Sequence, residues 1–334
     1  MFVEIHTTDR SAFKRCRQRW DFSSNLRMNL EPKRPIDPLW FGIGAHRAWA
    51  SYYDPETPRS YDIGMNTFRS YVTDWIARQG TDLSEDQELW AKEMLELGEG
   101  IFDYYFGWAP THDDFDVIWV EKSFNVEIPH MPGVDYSFRV DGLVQDKHER
   151  LWILEHKTAA SFPQDEEWLA LDDQCGSYLW ALRSLGINCE GVIYNTLRKK
   201  PPMRLRRLKD GTLSVAKNQD TTYDLALAAI KADYGSKKSK VPVKYLDYLD
   251  FLRTKPNNFV RRMPVRRSTR ELDLLGEELH LEVLDMVNAP TIYRSPSRIN
   301  CSGCPFIAPC IAKWDGSDYK WLLEQNYQER EKVV

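Results

Sequence analysis

No apolar run in this 334-residue chain approaches the ~18 residues that a bilayer-spanning helix needs. The start, MFVEIHTTDRSAFKRC, lacks the apolar core of a secretory signal, so the cytoplasm is the expected compartment and no membrane partner is expected. No glycine-rich phosphate loop ending in Gly-Lys-Ser/Thr is present, which argues against an ATP-driven motor, and no internal repeat is visible. Cysteine is scarce, with 6 residues. In a reducing compartment these are read as metal ligands, reactive thiols or small core residues rather than disulfides.

What is there belongs to a packed globular protein: 42% hydrophobic residues and 12 tryptophans, in a chain long enough to bury a core without disulfides. The net charge of −5 conceals an asymmetry. Residues 198–270 hold 20 Lys and Arg against 6 Asp and Glu, a balance of +14, which leaves 25 against 44, or −19, for the rest. Such a basic segment in an acidic chain is a footprint of polyanion binding, or else a solvated basic face.

The first third reads as helical. Ser11 is placed to cap a short helix through Trp20 that carries Cys16, a proline-rich loop follows from Glu31 to Pro38, and Phe41–His46 leads into a helix to about Tyr53. A further helix is expected from Ser84 to about Trp108. At Phe115 the pattern changes. Residues 116–128 and 134–145 are rich in β-branched and aromatic residues around a Pro-Gly turn, which predicts a hairpin, and Leu151–Lys157 reads as a third strand. A helix over 166–185 ended by Gly186 and a strand over 190–197 complete a small mixed sheet flanked by helices, an α/β fold. Helices are expected over 221–233 and 271–287, with a loop at 235–240.

Asp141 falls near the end of the second hairpin strand, and Glu155-His156-Lys157 ends the next. Side chains alternate along a strand, so Glu155 and Lys157 share a face and His156 takes the other. Two carboxylates and a lysine at neighbouring strand ends suit a divalent cation beside a phosphodiester, with His46 as a further ligand. An imidazole among oxygen ligands moves the preference from magnesium towards manganese. Gln174 and Tyr178, four apart on one helix, would share a face. Taken singly, each has a plain structural reading: Asp141 a turn residue, Glu155 and Lys157 an ion pair, Tyr178 a core residue, His46 a satisfied helix residue.

Near the C-terminus, Cys301-x2-Cys304-x5-Cys310 supplies three thiols in a loop bearing proline and glycine, and Cys16 is the candidate for a fourth. Four thiolates fill the external sites of a [4Fe–4S] cluster; a structural zinc is the competing reading. Cys175 and Cys189 lie outside this pattern.

The ordered set Gly42-x3-His46, Val140-Asp141-Gly142, Glu155-His156-Lys157 and Gln174-x3-Tyr178 resembles the PD-(D/E)XK nuclease superfamily. Its RecB-like branch, with the AddB nuclease domain and the CRISPR-associated iron–sulfur exonucleases, is the part most similar. The resemblance implies a restriction-endonuclease-like core and a metal site (Mg2+ or Mn2+) made by His46, Asp141, Glu155 and the His156 carbonyl. It implies Lys157 as the catalytic lysine, and Gln174 and Tyr178 as DNA contacts. One departure is His156, where an apolar or aromatic residue is expected. The resemblance also implies a [4Fe–4S] cluster on Cys16, Cys301, Cys304 and Cys310. On this reading 1–110 is a helical part with the first cluster cysteine and the histidine, 111–200 the nuclease core, 201–295 a basic helical DNA-binding segment and 296–334 the cysteine segment. The implied activity is exonucleolytic hydrolysis of DNA, on single-stranded ends, in recombination, repair or DNA processing. Arg204, Arg206, Arg207, Arg261, Arg262, Arg266 and Arg267 are the expected phosphate contacts. A module of the same fold that binds DNA without cleaving it, in support of a helicase or recombination partner, is the alternative.

Overall fold

The β-branched and aromatic alternation that begins at Phe115 builds the sheet around which everything else packs. In the computed structural model, which describes residues 3–33, 37–79, 83–162, 166–289 and 291–330, strands β3 (Phe115–Glu127) and β4 (Val134–Asp146) form the expected antiparallel hairpin. Strand β5 (Leu151–Ala159) pairs antiparallel with β4, and β6 (Cys189–Arg198) returns parallel to β5 after helices α6 (Glu166–Ala170) and α7 (Asp173–Ser184). Strand β7 (Val260–Val265) closes that side antiparallel to β6. An N-terminal strand, β1 (Val3–His6), runs parallel to the first part of β4. The result is the mixed α/β architecture read from the sequence, consistent with a restriction-endonuclease-like fold.

Two strands share one edge of β4. β1 pairs with it over Val134–Ser137 and β5 over Gly142–Gln145, both opposite β3. Between them, residues 138–141 are open on that edge, and the strands fork there. The fork is also where the inward faces exchange. Phe138 and Val140 belong to one core and Val144 to the other, although all three are even positions. β3 makes the same exchange between Val120 and Phe124, around Glu121, which adopts a left-handed φ of 48°.

One core lies between the sheet and α7, with α1 (Thr7–Arg15) and α10 (Thr269–Val287) packed beside it. The other is covered by α3 (Asp37–Tyr53), α4 (Tyr61–Gln79) and α5 (Glu85–Trp108). The start of α5 follows from a reciprocal cap: Gln87 N donates to Ser84 Oγ, and Ser84 N to Gln87 Oε1. Among the described residues no helix is long and apolar enough to cross a membrane.

Several expectations are corrected. The helix assigned to Ser11–Trp20 begins at Thr7 and breaks at Cys16 (φ −166°, ψ 115°) before α2 (Arg17–Ser23), because Asp9 accepts from His6 N and caps the chain earlier. The loop over 31–38 contains part of a short strand, β2 (Leu30–Pro32), while 34–36 lie outside the described residues. The single helix over 166–185 divides where Asp172 accepts from Cys175 N at 2.7 Å and starts α7 anew. The basic stretch 201–295 is not wholly helical: α8 (Tyr223–Tyr234) and α9 (Val243–Thr254) share a small core of their own, but β7 belongs to the sheet. The loop at 235–240 includes a 3-10 turn, Lys238–Lys240.

Candidate active site

Asp141 stands at the fork. Gly142↔Leu154 is the last β4–β5 pair, and beyond it Asp141 Oδ2 takes the place of a ladder acceptor, receiving His156 N at 2.7 Å. Its other oxygen is 3.1 Å from His46 Nδ1. α3 brings His46 there because it lies tight on α4: a Cβ on Gly44 would come within 2.6 Å of the Tyr71 ring. Glu121 completes the group, its carboxylate 3.8 Å from His46 Nδ1 and 2.9 Å from Arg139 Nε. One ligand atom from each of His46, Glu121 and Asp141 falls within 4.8 Å of the other two. Neither Glu121 nor Arg139 was visible as a site residue in the sequence, where no motif marks them.

Glu155 is 1% exposed. One carboxylate oxygen accepts from Lys157 Nζ at 2.5 Å; the other, Oε2, is buried with no hydrogen-bond partner among the described residues. Burial and the neighbouring Asp141 push the Glu155 carboxyl up to about 7, against the opposing pull of Lys157. Burial works against the charge on Lys157, but Glu155 and Asp141 outweigh it and hold the ammonium above the usual lysine range. The side chain is oriented a second time by Gln174 Oε1 at 2.8 Å, and Gln174 Nε2 donates to Tyr178 OH at 2.9 Å. Burial likewise opposes the charge on His46, yet Asp141 and Glu121 raise it to about 10. Asp141 is lowered: burial resists, and His46 prevails. His46, Asp141, Glu155, Lys157, Gln174 and Tyr178, separated by up to 132 positions in the chain, thus meet at one place.

His156 points away from this group, as the alternation requires, and its ring stacks on Trp49 at 4.4 Å and 11°. Its role is that of an aromatic core residue. Asn195 explains why an imidazole is tolerated. Arg262 can only donate, so its bond to Asn195 Oδ1 at 3.0 Å turns the Asn195 amide nitrogen to His156 Nδ1, 2.8 Å away. Nδ1 therefore accepts, and burial drives the ring down to about 3, so that it is neutral.

The seven arginines assigned to phosphate contacts occupy different settings. Arg262 turns inward, 2.6 Å from the 2% exposed side chain of Asp113, and is committed to structure. Arg207 pairs with Asp233 and Arg266 with Glu190, while Arg267 donates to the Leu169 and Asp172 carbonyls that form the α6–α7 corner. Arg261 lies over the Phe162 ring at 4.7 Å. Arg204 and Arg206 are exposed, and no acidic partner is found for them among the described residues.

Cys16 sits at the break between α1 and α2, where its sulfur accepts from Ser295 N. Arg15 donates to the carbonyls of Ile299, Asn300 and Ser302, tying the N-terminal helix to the segment that holds Cys301 and Cys304. Helix α11 (Arg298–Cys301) presents the first of these cysteines, and α12 (Ile307–Asp315) carries Cys310. Burial raises the Cys310 thiol, eased by Arg294 and reinforced by Cys16, Cys304 and Cys301 close by. A second link joins the chain ends: β2 pairs with β8 (Tyr327–Glu329). Cys175 is buried and Cys189 half-buried, apart from this group.

Comparison with known families finds the PD-(D/E)XK nuclease superfamily, whose profile matches residues 7–311. No curated protein matches the chain.

Proposed function

The chain belongs to the PD-(D/E)XK nuclease superfamily, and on that premise we propose that it is a metal-dependent deoxyribonuclease of the RecB-like branch that digests DNA from single-stranded ends. Recombination, repair or DNA processing, beside a helicase or recombination partner, is the setting this activity fits. The observation that carries the reading is the orphaned Glu155 Oε2. A buried carboxylate oxygen without a donor is costly, and a cation is the partner that removes the cost. His46, Asp141, Glu155 and the His156 carbonyl would hold that cation, magnesium or manganese. When bound, it acidifies water and offsets the charge that builds on an attacked phosphate.

The chain's own groups supply the rest. With Glu155 and Asp141 beside it, the Lys157 ammonium is held above the ordinary lysine range and keeps its proton in the metal-free site. It acts by electrostatics, oriented by Glu155 and Gln174 towards the phosphate and its attacking water. Gln174 and Tyr178 present an amide and a phenol to the strand. Arg204 and Arg206, with Arg261, continue the basic path on which a strand tracks. Cys16, Cys301, Cys304 and Cys310 would hold a [4Fe–4S] cluster as a clasp on the chain ends, and the four sequence stretches work as one nuclease unit.

Exonucleolytic action is tested with manganese and matched single-stranded DNAs, linear and circular. Linear DNA is expected to be digested to short products while circles survive; equal loss of both would make the enzyme an endonuclease. The pH dependence of cation binding follows from linkage. With His46 raised to about 10, the metal-free site carries a proton that a cation must expel, and below about 7 Glu155 carries a second. Cation affinity therefore rises with pH. Calorimetry in buffers of different ionisation enthalpy is expected to show about one proton released per ion at pH 8 and about two at pH 6.

A further inference from the structure

The register places three carboxylates in one row across neighbouring strands. Val120↔Gly142 and Lys122↔Val140 bracket Glu121 opposite Asp141, and Gly142↔Leu154 puts Glu155 next in line on β5. Like charges side by side on adjacent strands destabilise a sheet. Around the row stand His46 beside Asp141, Lys157 on Glu155 and, on Glu121, the guanidinium of Arg139 at 2.9 Å. Lys157 and His46 are fixed by several partners. Arg139 is 57% exposed and, among the described residues, is paired with Glu121 alone, so it is the counter-charge most easily displaced.

Glu121 is held at φ 48°, a left-handed conformation that is strained for a residue with a Cβ. That conformation brings its carboxylate to the His46 and Asp141 ligand atoms, in a site where the 1% exposed Glu155 leaves an oxygen unpartnered among the described residues.

Resting on the proposed cation site, we infer that Glu121 is a further cation ligand and that Arg139 is its exchangeable counter-ion. In the metal-free protein the guanidinium neutralises Glu121. When a divalent ion binds, Glu121 turns to it, and Arg139 is released at the rim of the site as a contact for the anionic backbone of the substrate. Cation and DNA binding are coupled through this exchange.

The test is Mn2+ binding to the cluster-loaded full chain, by calorimetry and by the electron paramagnetic resonance of the bound ion. Glu121→Gln is expected to weaken Mn2+ binding about tenfold or more and to alter the spectrum. Glu121→Gly should lose affinity equally while its melting temperature holds or rises, since glycine accepts the left-handed backbone. Arg139→Ala should tighten Mn2+ binding about threefold, and the gain should vanish in the Glu121→Gln background. Wild-type affinity in Glu121→Gln overturns the assignment of Glu121, and a gain that persists in the double variant overturns that of Arg139. Asp141→Asn is the reference: if it also binds like wild type, the proposed cation site itself fails, whereas loss there with none in Glu121→Gln removes only the inference.

Discussion

Lys157→Ala is expected to lower DNA cleavage by about 10³-fold or more while the protein stays folded, because two losses coincide. The first is the ammonium proposed to face the phosphate, a preorganised charge in a half-buried site. The second falls on Glu155. Lys157 donates the hydrogen bond that its carboxylate accepts, and burial and Asp141 already push the carboxyl up to about 7. Without Lys157 it rises further and carries a proton at neutral pH. A protonated Glu155 is a poor cation ligand, so the manganese needed for half-maximal residual activity increases as well. The same protonation protects the fold, since the buried carboxylate is neutralised rather than stranded. Single-turnover cleavage across manganese concentrations, with circular dichroism melting as the control, checks all three effects. Cleavage within tenfold of wild type would remove Lys157 from the mechanism.

Cys16→Ser is expected to take the iron content from about four per chain to less than one, and to destabilise the protein by about 4 kcal/mol or more. Ligand binding at such a site is folding free energy, and the proposed cluster would join segments almost 300 residues apart. The loss should reach catalysis. α1 ends at Cys16 and is bolted to the helix that carries Gln174 and Tyr178: Arg10 donates to Ser177 Oγ at 2.6 Å, and Lys14 pairs with Asp173. Arg10 also donates to Glu282 on α10 at 2.6 Å. A loosened α1 therefore frees the helix that orients Lys157. Iron and sulfide analysis of anaerobically purified protein, followed by thermal melting, measures the effect. About one zinc and no iron in the wild type would replace the cluster with a zinc clasp.

Much of this arrangement was legible because it rests on simple periods. The hairpin, β5 and the opposed orientations of His156 and Glu155 follow from alternation, and contacts on both sides of β5 agree with it. The fork shows where alternation stops being a guide. β3 shifts register between Val117 and Trp119, and Glu121 takes a left-handed φ, so a period of two cannot place Glu121 beside Asp141.

Charge leaves the setting of a side chain open. Arg261 and Arg262 read as part of a basic segment, yet they lie in strand β7, and the Asp113 that leaves Arg262 half-buried is 149 positions away. A long-range ion pair leaves no local signal. Helix α4 leaves little local signal for a related reason: its sequence, YDIGMNTFRSYVTDWIARQ, mixes polar and aromatic residues, and its inward face is defined by α3 and α5 rather than by a clean stripe. His46 was found by its place in an ordered set of motifs, and the structure adds the close α3–α4 contact at Gly44 that aims it.

The account's central claim is that one cation-holding group at the fork hydrolyses DNA. It is tested most directly by incubating end-labelled single-stranded DNA with cluster-loaded protein in manganese, in parallel with EDTA and with Asp141→Ala. The account predicts digestion in manganese alone, abolished by chelation and by the substitution, with the variant's melting temperature near that of the wild type. Undiminished cleavage by Asp141→Ala, or no cleavage by the wild type across divalent metals and DNA ends, would contradict it.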